Sequence, residues 1–164
     1  MKPEIWTDKD AEGVMRLLLE KMKNAPEGSI EILIEKEFSA CSVEEMWMDC
    51  TFTVPKAAEN RIGTAHGGYL AAILDESMGY SFSALSGDPE ISPVTLDYQV
   101  NTIRALRPGQ TARIHCTVDH VGKRTALCHG YIYDGDRLCA TATENYALIE
   151  SGRLQYSDWF PVMK

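Results

Sequence analysis

The stretch AHGGYLAAILDESMGYSF, residues 65–82, decides how this chain folds. Its length and composition predict one long helix. Apolar residues (Leu70, Ala71, Ala72, Ile73, Leu74, Met78, Phe82) go all the way round, which predicts burial on most sides. Two acids, Asp75 and Glu76, sit in its middle. A carboxylate on a buried helix is costly unless it has a task there. The helix opens on His66-Gly67-Gly68. A helix start leaves backbone N–H groups unpaired, and glycines let another molecule approach them closely. One segment therefore offers a grip for a carbonyl or an anion and, two turns on, a base.

The spacing between those two features carries information. Asp75 lies seven residues after Gly68, about 10 Å along a helix axis. Both cannot touch one carbonyl carbon within a single subunit, so the spacing favours a site shared by two chains. Glu76 competes with Asp75 for the role of base. It points about 100° away and is read as pairing with a basic group or facing solvent. His66 invites a catalytic role, because histidine as a residue type changes charge near neutral pH. Without an evident acid or nucleophile beside it, a capping hydrogen bond is the favoured reading.

Working outward, residues 55–65 (PKAAENRIGTA) read as the loop into the helix, and Gly87-Asp88-Pro89 stops it near Ser86. Residues 30–38 and 43–54 read as strands; Met46, Met48, Cys50, Phe52 and Val54 alternate with polar partners. Residues 8–24 carry the apolar stripe of an amphipathic helix, ended by Pro26-Glu27-Gly28. After the central helix come four β-rich runs, 93–103, 111–121, 124–134 and 137–149. Gly122-Lys123 and Asp134-Gly135-Asp136 are tight hairpin signals. Short connections predict an antiparallel meander. The layout predicts a helical extension over 1–28, one α+β domain over 29–150 and a tail over 151–164. The simplest way to bury so long a helix is to curl the sheet around it.

The chain has 164 residues, 45% of them hydrophobic, which suits one domain with a real core. No apolar run reaches membrane-spanning length, and MKPEIWTDKD does not read as a secretory signal. The net charge of −8 argues against nucleic acid as a partner. Residues 104–137 depart from this balance. They hold six basic and three acidic groups, a local +3 that leaves −11 for the remainder. Such a region suits a small polyanion, or it is ordinary strand-surface charge. Five cysteines without C-x-x-C spacing fit buried thiols in a cytoplasmic protein. His115, His120 and His129 lack metal-ligand spacing, and no metal is expected.

The motifs N-R-I-G-T-A-H-G-G, L-D-E, P-V-T-L-D-Y, V-G-K-R-T and G-D-R-L-C-A-T-A-T stand in order over residues 40–149. In this the chain resembles the PaaI-like acyl-coenzyme A thioesterases of the hot-dog superfamily. The resemblance implies a curved antiparallel sheet wrapped around the long central helix, with the N-terminal helix as an addition. It implies hydrolysis of a thioester to a free acid and coenzyme A. Asp75 then matches the catalytic acid, as general base or nucleophile. Asn60 and the Gly67 N–H match the groups holding the thioester carbonyl, and Thr95 a hydroxyl that positions the attacking water. Substrate and coenzyme A contacts fall on His66, Gly68, Arg104, Val121, Gly122, Lys123 and Arg124. No cofactor is implied beyond the coenzyme A of the substrate. The implied partner is a second copy of the chain, in a dimer or tetramer, with sites shared across the interface. Two other readings stay open: a hot-dog protein that binds acyl-coenzyme A without turnover, and a dehydratase or hydratase. A binder needs no acid in an apolar helix. A dehydratase would show a His-Phe-Pro type segment feeding a glutamate on the central helix, which this sequence lacks.

Overall fold

The structure is a computed structural model that describes residues 30, 34–86 and 90–150. The expected helix over 8–24 and the tail over 151–164 lie outside the described residues. Six strands form one antiparallel sheet: β1 (Glu37–Ser42), β2 (Trp47–Thr53), β3 (Ile91–Thr102), β4 (Thr111–Val121), β5 (Thr125–Asp134) and β6 (Arg137–Glu150). Among the described residues one long helix, α1 (Gly67–Leu85), packs against it. This is the hot-dog arrangement.

Helix α1 forms because its ends are defined and its inward face is apolar. His66 is the N-cap, and its Nδ1 accepts the Gly68 N–H at 3.0 Å. Ile73, Leu74, Met78 and Phe82 are at most 1% exposed, each contributing about 1.5–3 kcal/mol through burial. Ser77 and Ser81 share that face and bond back to the carbonyls four residues earlier, so no hydroxyl is stranded there. Composition predicts burial on most sides, but the helix is buried along one face only. Ala71, Ala72, Asp75, Glu76, Gly79 and Tyr80 are half-exposed, because the sheet covers only one face of α1 within a chain.

The sheet receives that face closely. On β5, a Cβ at Gly130 would meet Leu74 Cδ2 at 3.0 Å and Met78 Cγ at 3.2 Å. Ala140, Ala142, Glu144 and Tyr146 alternate inward along β6, and the small pair lets the helix approach.

Two expectations change. The four late strands do not form one meander. The strand order is β1-β2-β4-β5-β6-β3, so β3 lies beside β6 and the chain crosses over through residues 103–110 before β4. Arg107-Pro108-Gly109 lies in this crossover. The two early strands are also displaced. Ile30 is helical and Ile34 bonds back to it, while residues 43–46 are the β1–β2 turn, where Met46 takes a left-handed φ of 57°. A short apolar run such as IEILIE fits either period, and contacts along the chain decide between them.

Candidate active site

The entry to α1 is held rigidly. Asn60 Oδ1 accepts from the N–H groups of Ile62 at 3.0 Å and Thr64 at 3.1 Å. Its Nδ2 donates to Thr64 Oγ1 at 2.8 Å. The Ala65 N–H then bonds to Leu106 and the His66 N–H to Ala58, both at 2.7 Å. Asn60 thus organises the turn that delivers the helix start. His66 caps the helix, which bears out the favoured reading of that residue. Its ring takes the Gly68 N–H and leaves that of Gly67 with no hydrogen-bond partner among the described residues. Gly67 is exposed, with nothing within 4 Å of an added Cβ, and the positive end of the helix dipole lies behind its N–H.

A cleft of about 790 Å³ opens beside this end, lined by His66, Tyr69, Phe52, Pro55 and Thr111 among others. Burial pushes the Tyr69 phenol up to about 12. Tyr69 is the residue of α1 that lines this cleft. Ile73, Met78 and Phe82 are core residues against the sheet.

Two turns along, Asp75 meets β3 and β6. Thr95 Oγ1 lies 3.2 Å from Asp75 Oδ1 and 2.7 Å from Glu144 Oε1. The Tyr146 hydroxyl lies 3.5 Å from the Asp75 carbonyl oxygen. A β-bulge between Thr95 and Asp97 shifts the β3–β6 register at this point. Bulges of this kind re-aim side chains beside functional sites. Asp75 is not among the residues lining the cleft at the helix start. Gly67 and Asp75 stand eight residues apart on one continuous helix, about 12 Å along its axis, as their spacing predicts.

Glu144 is the residue that sequence reasoning missed. It is fully buried, and burial first, then Asp75, push its carboxyl up to about 8. The signal was present: in CATATENY, alternation puts Glu144 inward with Ala140, Ala142 and Tyr146. A charged residue on an apolar strand face calls for an explanation. Glu76, the competitor of Asp75, points elsewhere and pairs with the buried Lys36, whose ammonium lies 4.9 Å from the Tyr80 ring centroid.

The basic residues divide into two places. Gly122 makes the β4–β5 turn, its N–H bonding to the Thr125 carbonyl at 2.9 Å, with Val121 half-buried before it. Lys123 and Arg124 are exposed there, and the Arg124 carbonyl accepts from Leu148, two residues beyond Tyr146. The turn is therefore at the Asp75 end of the sheet. Arg104 bonds to the Leu138 carbonyl at 2.6 Å, ten residues back along β6 and roughly 33 Å from Leu148. Arg104 does not join the turn within one chain. His115 and His129 pair with Asp49 and Asp119. The five cysteines are free thiols, four of them buried.

Residues 62–141 match the family model described as the Thioesterase superfamily. A Pseudomonas aeruginosa protein under the name "Putative esterase" is 34% identical over 84 residues, 51% of this chain. The chain spans about 62% of the length of that curated relative. The Escherichia coli PaaI protein from the phenylacetic acid degradation operon has a similar fold, with a TM-score of 0.71 at 17% identity. That match covers 85% of this chain and 96% of the other. A Streptococcus pneumoniae hypothetical thioesterase, solved with coenzyme A, matches at a TM-score of 0.62 and 23% identity, covering 71% of this chain and 90% of the other. Residues 62–141, which carry α1, β3, β4 and β5, are thus similar to the Thioesterase superfamily, and the fold is the hot-dog fold of these neighbours.

Proposed function

We propose that this chain is an acyl-coenzyme A thioesterase whose active sites form between two copies. The observation that carries the proposal is the division of α1. Its first turn presents the unpartnered Gly67 N–H, and its third presents Asp75 held by Thr95. A thioester needs little help for its leaving group, since a thiolate departs readily. It needs a stabilised oxyanion and an activated nucleophile. Gly67 of one copy supplies the first, with Asn60 fixing the loop that aims it. Asp75 of the other copy supplies the second. As a general base it takes a proton from water while the water oxygen bonds to the carbonyl carbon. The tetrahedral intermediate then expels the coenzyme A thiolate as the C–S bond breaks. As a nucleophile, Asp75 would bond to that carbon itself, the C–S bond would break to release the coenzyme A thiolate, and water would cleave the resulting anhydride to the free acid and the Asp75 carboxylate.

The sheet edge supports pairing of copies. β3 is an edge strand of twelve residues, and Val94, Leu96 and Tyr98 are exposed on it. A long apolar edge of this kind is a template for another strand. Lys123 and Arg124 at the near turn suit the phosphates of coenzyme A through charge-assisted bonds. The free cysteines suit the reducing cytoplasm.

The test is release of free thiol from a panel of acyl-coenzyme A esters by wild type and Asp75→Asn, with sedimentation on both. Turnover should fall at least 10²-fold in the variant while the fold and the dimer persist. Equal rates would remove Asp75 from the chemistry, and an active monomer would refute the shared site. Binding of the esters without turnover by wild type would favour the non-catalytic binder.

A further inference from the structure

Asp75 does not stand alone beneath its hydroxyl partner. The same Thr95 oxygen touches two carboxyl groups, at 3.2 Å from Asp75 and 2.7 Å from Glu144. A threonine hydroxyl carries one proton and can donate it fully to one acceptor only. With both carboxyl groups ionised, one contact would set a hydroxyl lone pair against a carboxylate oxygen, and two negative charges would face each other beside the core. One proton on Glu144 resolves both conflicts. The chain then runs from the Glu144 O–H to Thr95 Oγ1, and from the Thr95 O–H to Asp75 Oδ1. Each contact becomes a donor facing an acceptor.

The surroundings of Glu144 agree. It is fully buried, and its Oε2 has no hydrogen-bond partner among the described residues. The titratable groups facing it come from four elements: Asp75 on α1, Tyr98 on β3, Cys128 on β5 and Tyr146 on β6 itself. All are acidic or neutral, so none of them compensates a charge on Glu144. Burial, and then Asp75, raise its carboxyl to about 8, and the hydroxyls of Tyr146 and Thr95 only partly offset this.

We propose that Glu144 is a positioning residue for Asp75. It holds the single proton of the carboxyl pair, orients Thr95 as a donor to Asp75, and leaves the carboxylate charge on Asp75. This rests on the thioesterase reading for its catalytic consequence but not for its protonation. Glu144 does not touch substrate in this scheme. Above its titration point the donor chain breaks, and Asp75 gains a charged neighbour in place of a neutral one.

Two measurements test this. The first needs no turnover: carbon-13 NMR titration of the glutamate carboxyl groups, with Glu144→Gln used to assign the Glu144 signal. Glu144 should titrate near pH 8 in wild type and move downward in Asp75→Asn, which removes the neighbouring charge. Titration in the ordinary range near 4.5 in wild type overturns the proposal, whatever the activity. The second is the pH profile of kcat and KM. Wild type should lose kcat above about pH 8 with little change in KM. In Glu144→Gln, the amide N–H replaces the acid O–H as donor to Thr95. That variant should stay within about tenfold of wild-type kcat at pH 6 and lose the alkaline limb. Glu144→Ala should fall about 10²-fold in kcat at all pH values, since Asp75 is no longer held. A folded Glu144→Gln as inactive as Glu144→Ala, or one that keeps the alkaline limb, overturns the proposal. If wild type turns over no thioester, the thioesterase reading fails while the NMR titration still decides the state of Glu144.

Discussion

Replacing Glu144 with glutamine should flatten part of this protein's loss of stability with rising pH. Burial first, and then Asp75, push the Glu144 carboxyl up to about 8, whereas its ordinary value is 4.5. Between those two values the unfolded chain has lost the proton and the folded chain has kept it. The folded state binds more protons, so its stability falls as pH rises through that window. The stability present below pH 4.5 is lost progressively, and the loss is complete near pH 8, where the folded carboxyl ionises too. Each pH unit is worth about 1.4 kcal/mol, which sets a ceiling of about 5 kcal/mol for this group. Because a second carboxyl group lies beside Glu144, a loss of a few kcal/mol, below that ceiling, is expected. The glutamine side chain has no proton to lose there, and any cost of its amide is the same at every pH. Urea unfolding at pH 4.5, 6 and 8 on both proteins isolates the effect of the carboxyl pair, since groups that do not sense Glu144 cancel in the difference. Wild type should lose a few kcal/mol relative to the variant across the series. Parallel stability curves would refute a protonated, buried Glu144.

The other expectations concern packing around the helix. Gly130→Ala drives a methyl group to 3.0 Å from Leu74 and 3.2 Å from Met78, and should cost about 1–3 kcal/mol in chemical denaturation. Lys36→Met removes the buried cation facing Glu76 and should cost roughly 3–5 kcal/mol. Replacing Glu76 by leucine as well should recover much of that loss, read from thermal unfolding. His66→Ala removes the cap on Gly68 and should cost about 1 kcal/mol without changing the strand content seen by circular dichroism.

Alternation and turn chemistry are local, and they were legible. The runs 111–121, 124–134 and 137–149 became β4, β5 and β6 within a residue or so, because period-two patterns and tight Gly and Asp-Gly turns act over a few residues. The long helix was legible for the same reason: its His66-Gly67-Gly68 start and apolar stretch need no distant partner to be recognised. The start of β1 was not legible, because a short apolar run suits either period until something packs on it. The position of β3 was not legible either. Only pairing across the sheet places it beside β6, and the short link to β4 suggested the opposite.

The candidate site divides along the same line. The sequence by itself determined the composition of the helix: a glycine start that offers a donor, and an acid two turns away, too distant to serve the same carbonyl carbon. It also pointed to Asp75 over Glu76 by spacing. What Glu76 does was decided only by the tertiary structure, which brings Lys36 from forty residues away to meet it. Tertiary structure alone also decided what lies under Asp75. Thr95 and Glu144 are 49 residues apart in the chain, yet register between β3 and β6 and one bulge bring them to a shared hydrogen bond. A carboxyl group's protonation depends on what surrounds it in three dimensions. The sequence could place Glu144 on an inward strand face, but only the packed helix and the neighbouring strand could make it a partner of Asp75.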